Sequence, residues 1–188
     1  MRTSTTHEHK STPRQGHDLI APLVPTDHRR GAQQASITIM EYGDFESPAC
    51  RAAEPAVRSI LAAHPDTVQL VFRHFPLEAE HPLALMAAEA SEAAAAQGKF
   101  WEMHDALMLP ETSLSRAGLE RVARELGLDI PMFSSALNDE IYRQRIREQE
   151  AGAARSHLRE SPGFFVDGRV CDVSGGMTEL ADRIDAMG

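Results

Sequence analysis

Aromatic residues make up only 5% of the chain, with a single Trp, so alanine and aliphatic side chains must fill much of any core. Cysteine is scarcer still. Cys50 and Cys171 are the only two, which excludes a disulfide-rich framework and leaves two thiols expected to be free in a reducing compartment. No apolar run approaches the roughly 20 residues that span a bilayer. The opening residues Met1 to Lys10 are polar, and no apolar stretch of about 7–15 residues follows them, so no leader is read and the cytoplasm is the expected compartment. Basic residues are also in deficit: net charge is −9 and the pI about 5.4, which argues against nucleic acid or an anionic membrane as the main partner. The acidity sits in the body, because residues 1–35 carry five Lys/Arg against three Asp/Glu.

What remains is a chain of 188 residues, 42% hydrophobic, enough for one domain with an insertion. Residues 1–17 read as a disordered polar tail, and the His7-x-His9 pair in it as solvated rather than metal-binding. Residues 18–35 read as an approach arm broken by Pro22 and Pro25. The run from Ser36 to Tyr42 is β-branched and nearly uncharged, the pattern of a strand buried on both faces. After a turn over Gly43 to Glu46, Ser47 and Pro48 are the preferred N-cap and first-turn residues of a helix reaching His64, with Pro55 inside it. A second strand over Val68 to Phe75 completes a βαβ unit. Helical patterns then follow over Ala84–Gln97, Phe100–Met108, Leu114–Leu126, Pro131–Leu137 and Ile141–Ser156, with no strand pattern between 77 and 160. Asp167-Gly168 between two apolar runs predicts a hairpin, and Met177 to Met187 a final helix. The predicted class is α/β: a thioredoxin fold, β-α-β then β-β-α, over 18–76 and 161–188, with an all-helical domain inserted at 77–160.

A thiol at the start of a helix that follows a strand is favoured as thiolate by the unpaired N–H groups and the macrodipole. A second sulfur one turn on resolves the mixed disulfide. The segment Tyr42-Gly43-Asp44-Phe45-Glu46-Ser47-Pro48-Ala49-Cys50, with Glu54-Pro55 following, resembles the DsbA pattern of strand, Asp-Phe and Cys-Pro-x-Cys. Ser161-Pro162-Gly163-Phe164 is similar to that family's Thr-Pro-x-Phe segment, whose proline is cis. His81-Pro82, Ala87 to Ala90 and Gln97-Gly98-Lys99-Phe100-Trp101-Glu102-Met103-His104-Asp105 resemble the cytoplasmic subgroup sometimes fused to sodium/proton antiporters, and Asp27-His28 fits it as well. The resemblance runs from about residue 19 to residue 170. It implies Ser47, Pro48 and Cys50 at a thiol site, Ser161 and Pro162 as the substrate-binding edge, and protein thiols or disulfides as partners.

The departure falls on the chemistry. Ser47 stands where the family's nucleophilic cysteine belongs, so a dithiol cycle is not possible. Ala49 replaces a bulkier residue, and His74 and His81 are the nearest bases in sequence, with no spacing that favours either. Three readings stay open. Ser47 is a helix cap without chemistry, in a binding module for a peptide or another partner. In the reading taken first, the chain is a thiol-disulfide oxidoreductase-like protein in which Cys50 acts alone as an atypical monothiol, helped by the helix N-terminus. Or Ser47 donates to the thiolate of bound glutathione, as the Ser-Pro of the similar kappa-class transferases does. No other cofactor and no metal is expected. Cys171 reads as a small half-buried residue rather than a partner for Cys50, Phe100, Trp101, Met103 and Leu107 as core, and Asp44 and Glu54 as tuning, capping or solvated groups.

Overall fold

The run read as a buried strand becomes β2 (Ile37–Gly43) in a computed structural model that describes Asp18 and residues 21–188. The tail over 1–17, with its His7-x-His9 pair, lies outside the described residues. Around β2 lie β1 (His28–Gly31), β3 (Val68–His74), β4 (Gly163–Val166) and β5 (Arg169–Cys171), in the order β1-β3-β2-β4-β5. β2 and β3 are parallel, as a βαβ unit requires, and the other pairings are antiparallel. The crossover helix is α1 (Pro48–Ala63), which carries Pro55 inside it. The Asp167-Gly168 hairpin forms as expected, with both residues at positive φ and Cys171 opposite Phe164.

Strand alternation divides the sheet into two apolar faces. Ile37, Ile39, Leu70, Phe164 and Val166 pack with α1 and with α7 (Thr178–Asp185), through Leu180 and Ile184. Met40, Tyr42, Val71 and Phe165 face the other way. Between β3 and β4 come α2 (Ala84–Ala95), α3 (Phe100–Leu107), α4 (Arg116–Glu125), α5 (Ile130–Asn138) and α6 (Arg143–Arg155). Helices α2 to α5 bury a cluster of their own, which takes in Phe45, Cys50 and Phe72 from the frame. α6 behaves differently from a pure insertion: its Ala153 packs against the second sheet face. Alanine makes this close packing possible, and α2 buries ten of its twelve residues.

β1 was not visible as a strand. His28-Arg29-Arg30-Gly31 has no apolar alternation, because it is an edge strand whose charged side chains also guard the edge. It is held by its side chains. Arg30 makes two hydrogen bonds of 2.8 Å to Asp105 and lies 4.4 Å from the centroid of the Trp101 ring. Gly31 closes the strand at φ +102, where a Cβ would sit 2.6 Å from the Val68 carbonyl oxygen. Below the sheet, Arg73 is buried and forms a two-pronged pair with Asp27, with further bonds to the Tyr42 hydroxyl and the Ala21 and Pro22 carbonyls. The approach arm is thus fixed at both ends by arginines.

Candidate functional site

The site forms where β2 hands over to α1. Ser47 sits at φ −65, ψ 121 as the N-cap, and its Oγ accepts from the Cys50 N–H at 3.4 Å, the role its residue type predicts. Pro48 fills the first turn, where its missing N–H costs nothing. The Ser47 hydroxyl donates in turn to the Ser161 carbonyl oxygen, also at 3.4 Å. This long bond ties the helix start to the segment that enters β4. The Ser161–Pro162 peptide bond is cis, as the resemblance implied. All five residues read as site residues therefore converge: Ser47, Cys50 and Ser161 are buried, Pro162 is half-buried, and Pro48 is exposed on the rim.

Cys50 is fully buried, with 0% of its surface exposed, and its Sγ accepts from the Asp44 N–H at 3.4 Å. Burial pushes its thiol up to about 12, and the nearby Glu41 adds to that; the Asp44 N–H and the Ser47 and Ser161 hydroxyls act the other way but less strongly. The expected help from the helix N-terminus is thus outweighed. A dipole worth about 0.3–1 kcal/mol cannot offset the desolvation of a thiolate inside an apolar cluster.

Neither candidate base is hydrogen-bonded to Ser47. His81 Nδ1 lies 2.7 Å from Asp44 Oδ2, and His74 Nε2 lies 3.1 Å from Glu92 Oε1. Asp44 and Glu54 are buried rather than solvated. Asp44 accepts from the Glu46 and Leu77 N–H groups and so staples the site loop to the segment after β3, while Glu54 pairs with Arg58 at 2.7 Å. Cys171 is a free buried thiol beside Leu180 and Ile184, more buried than expected and not joined to Cys50. Phe100, Met103 and Leu107 are core, whereas Trp101 is half-buried and donates its indole N–H to the Arg29 carbonyl of β1.

A further functional group is Glu41, which no motif marks. It lies in β2 between Met40 and Tyr42, on the face shared by Ile37 and Ile39, and one of its carboxylate oxygens has no hydrogen-bond partner. Burial raises its carboxyl to about 8, with the Glu54 charge contributing, so it is largely protonated at neutral pH. A lone Glu in an otherwise apolar strand was the available signal. The Ser161 hydroxyl is also buried, on the side of Cys50. Among the described residues, two groups bring possible metal ligands together, Glu54 with His104 and Asp105, and His28 with His74 and Glu92, each with ligand atoms within 4.8 Å of one another. In both, arginines already occupy the carboxylates: Arg58 and Arg30 in the first, Arg145 in the second.

The thioredoxin family profile matches residues 23–186. The chain is 47% identical over 153 residues to the "Na(+)/H(+) antiporter NhaA 3" of Salinispora tropica, a match that covers 81% of this chain and 23% of that protein. The chain thus spans about a quarter of the length of the antiporter relatives it matches. Among solved structures it is similar to a thioredoxin-like oxidoreductase from Silicibacter pomeroyi, with a TM-score of 0.77 and 29% identity, covering 87% of this chain and 93% of that one. DsbA2 of Pseudomonas aeruginosa is similar with a TM-score of 0.68 and 26% identity, covering 89% of this chain and 97% of that one. Among the described residues, no helix is long and apolar enough to cross a membrane.

Proposed function

Because the chain belongs to the thioredoxin family, with DsbA-like structural relatives, we propose that it is a DsbA-type domain that holds extended thiol- or disulfide-bearing protein segments without running a dithiol cycle. One observation carries this reading: a hydroxyl occupies the N-cap of α1, while the one sulfur nearby is fully buried with its thiol pushed up to about 12. Disulfide exchange needs an exposed thiolate to attack and a second thiol to resolve. Here the helix-capping position is a buried alcohol and the inner thiol is shielded as well.

The binding half of the site is retained. Pro48 and Ala49 stand exposed beside the half-buried Pro162, and neither proline has an N–H to offer a ligand. A segment laid across this rim would be recognised by its extended shape and by apolar contact with these side chains. A glutathione thiolate is less well served, because the Ser47 hydroxyl already donates to the Ser161 carbonyl. The cytoplasm, where Cys50 and Cys171 would both stay free thiols, is the compartment we propose. Within the antiporter relatives, the matching region is proposed to serve as such a binding domain for the larger chain.

The experiment is a titration of the 15N-labelled chain with an unstructured peptide carrying one cysteine as its mixed disulfide. Saturable shifts at Ser47, Ala49, Ser161 and Gly163, with no covalent adduct, are the expected outcome. An adduct at Cys50 in the native protein, or shifts that avoid these residues, contradicts the reading.

A further inference from the structure

On the sheet face opposite α1, the approach arm and α6 leave a cleft of about 290 Å³ between them. Pro22 and Val24 of the arm line one wall, and Gln149, Gly152 and Arg155 of α6 line the other. Tyr42 and Arg73, both buried, form the floor. Gly152 keeps the space open. A Cβ there would lie 3.2 Å from the Tyr42 hydroxyl oxygen, 3.2 Å from the Ala21 Cβ and 3.9 Å from Arg155 Nη2. Any side chain at position 152 would therefore begin where the arm, the phenol and the guanidinium converge.

The charges around the cleft do not all find partners. Arg73 is paired with Asp27, and Arg145 with Glu92. Glu148 accepts from Gln144, one turn back on α6, at 2.8 Å. Arg155 has no carboxylate partner among the described residues, although Asp and Glu outnumber Lys and Arg by 28 to 19 in the chain. Its charge does act on the Tyr42 phenol. Two neutral donors stand beside it. The Tyr42 oxygen accepts from Arg73 Nη1 at 3.0 Å, and its own proton has no acceptor among the described residues. Gln149 uses its side-chain oxygen to accept from the His74 N–H at 2.7 Å, which leaves its amide nitrogen to donate.

We propose that this cleft binds a small monocarboxylate with an apolar body, its carboxylate held by Arg155, Tyr42 and Gln149 and its body laid against Pro22 and Val24. The Tyr42 hydroxyl and the Arg155 guanidinium both lie within 4 Å of the point where a Gly152 Cβ would sit, so one carboxylate can bridge them. A carboxylate accepts several hydrogen bonds at once, and a guanidinium suits it in a paired, charge-assisted geometry. The charge of the lining selects a monoanion. One unpaired guanidinium neutralises one negative charge, while the carboxylates of Asp27 and Glu148 also line the cleft and repel a phosphate dianion. Size restricts the body, because about 290 Å³ is at the small end of ligand sites, which run from about 300 to 1,000 Å³. The ligand would tie the arm to α6. Neither Ser47 nor Cys50 takes part, so the site is independent of the thiol position.

The test titrates the full 15N-labelled chain at pH 7 with three probes at millimolar concentration. Hexanoate carries the charge and the body, 1-hexanol keeps the body without the charge, and inorganic phosphate carries charge without a body. The expected result is saturable shifts with hexanoate at the Gly152 amide, the Gln149 side-chain amide and the Arg155 Nε–H, with hexanol and phosphate each about 10-fold weaker or more. Arg155 is exposed at the end of α6, so Arg155→Gln removes the charge at little structural cost. That substitution should weaken hexanoate about 10-fold or more, and Arg155→Lys should restore part of the loss. If the glutamine variant fails to fold, the difference between hexanoate and hexanol on the parent chain decides. Absence of saturable hexanoate shifts, or shifts that avoid these three residues, would overturn the site. So would hexanol or phosphate binding as tightly as hexanoate, or undiminished hexanoate binding by a folded Arg155→Gln variant.

Discussion

Replacing Ser47 by cysteine is expected to turn an inert chain into a thiol-disulfide exchange catalyst, with a gain of about 100-fold or more at pH 7. The magnitude follows from thiolate supply. With its thiol at about 12, Cys50 is ionised to only about one part in 10⁵ at neutral pH. A cysteine at a helix N-terminus, by contrast, falls in the range of about 3.5–7.5 and is largely thiolate. The lower intrinsic nucleophilicity of such a thiolate gives back roughly half of that difference on a logarithmic scale, leaving two to three orders of magnitude. The scaffold for the second step is in place, because Cys50 sits three residues on with its N–H aimed at the side chain of residue 47. Reduction of an insulin-type disulfide by dithiothreitol, catalysed by the Ser47→Cys variant and by the parent, measures the gain. Equal, slow rates for both would mean that the rim around Pro162 has drifted from a substrate-binding shape.

The second large effect is on stability. Glu41→Gln is expected to stabilise the protein by about 4 kcal/mol at pH 8 and by less than about 1 kcal/mol at pH 5. In the folded state the Glu41 carboxyl titrates at about 8, against an ordinary value of 4.5. Between those values the unfolded chain has released the proton and the native chain still holds it. Native stability is therefore fully present below pH 4.5 and declines as pH rises towards 8. Glutamine keeps the neutral shape and removes that decline. Urea unfolding of both proteins at pH 5 and pH 8 tests the difference. A parent and variant with parallel pH responses would show that Glu41 is ionised in the fold, against the burial and the unpartnered oxygen.

These two residues mark what could and could not be read from the chain. Ser47 was legible because capping is local: a Ser-Pro pair at a strand-to-helix turn specifies its own geometry within four residues. The hairpin at Asp167-Gly168 and the buried pair β2 and β3 were legible for the same reason, since turn residues and apolar runs act over short range. The state of Cys50 was not. Its position at the helix start argues for a reactive thiol, but Phe45, Phe72 and α2 enclose it, and that enclosure depends on residues far along the chain. Glu41 looked like a single polar interruption because its partners, Glu54 and Cys50, come from the next element. β1 was missed because long-range bonds hold it. Arg30 reaches Asp105 and His28 reaches Glu92, and no local pattern encodes either. The role of α6 was hidden likewise, since a helical period shows one apolar face without naming the surface it meets.

The intrinsic reactivity of Cys50 in the native protein tests the central claim most directly. The wild-type chain is exposed to a chromogenic aromatic disulfide at pH 7, and the modified cysteine is identified by mass spectrometry with and without denaturant. The expected result is no modification of Cys50 until the protein is unfolded, after which both Cys50 and Cys171 react at the rate of ordinary thiols. Modification of native Cys50 faster than an unfolded thiol would contradict it, and would make this site a working monothiol centre.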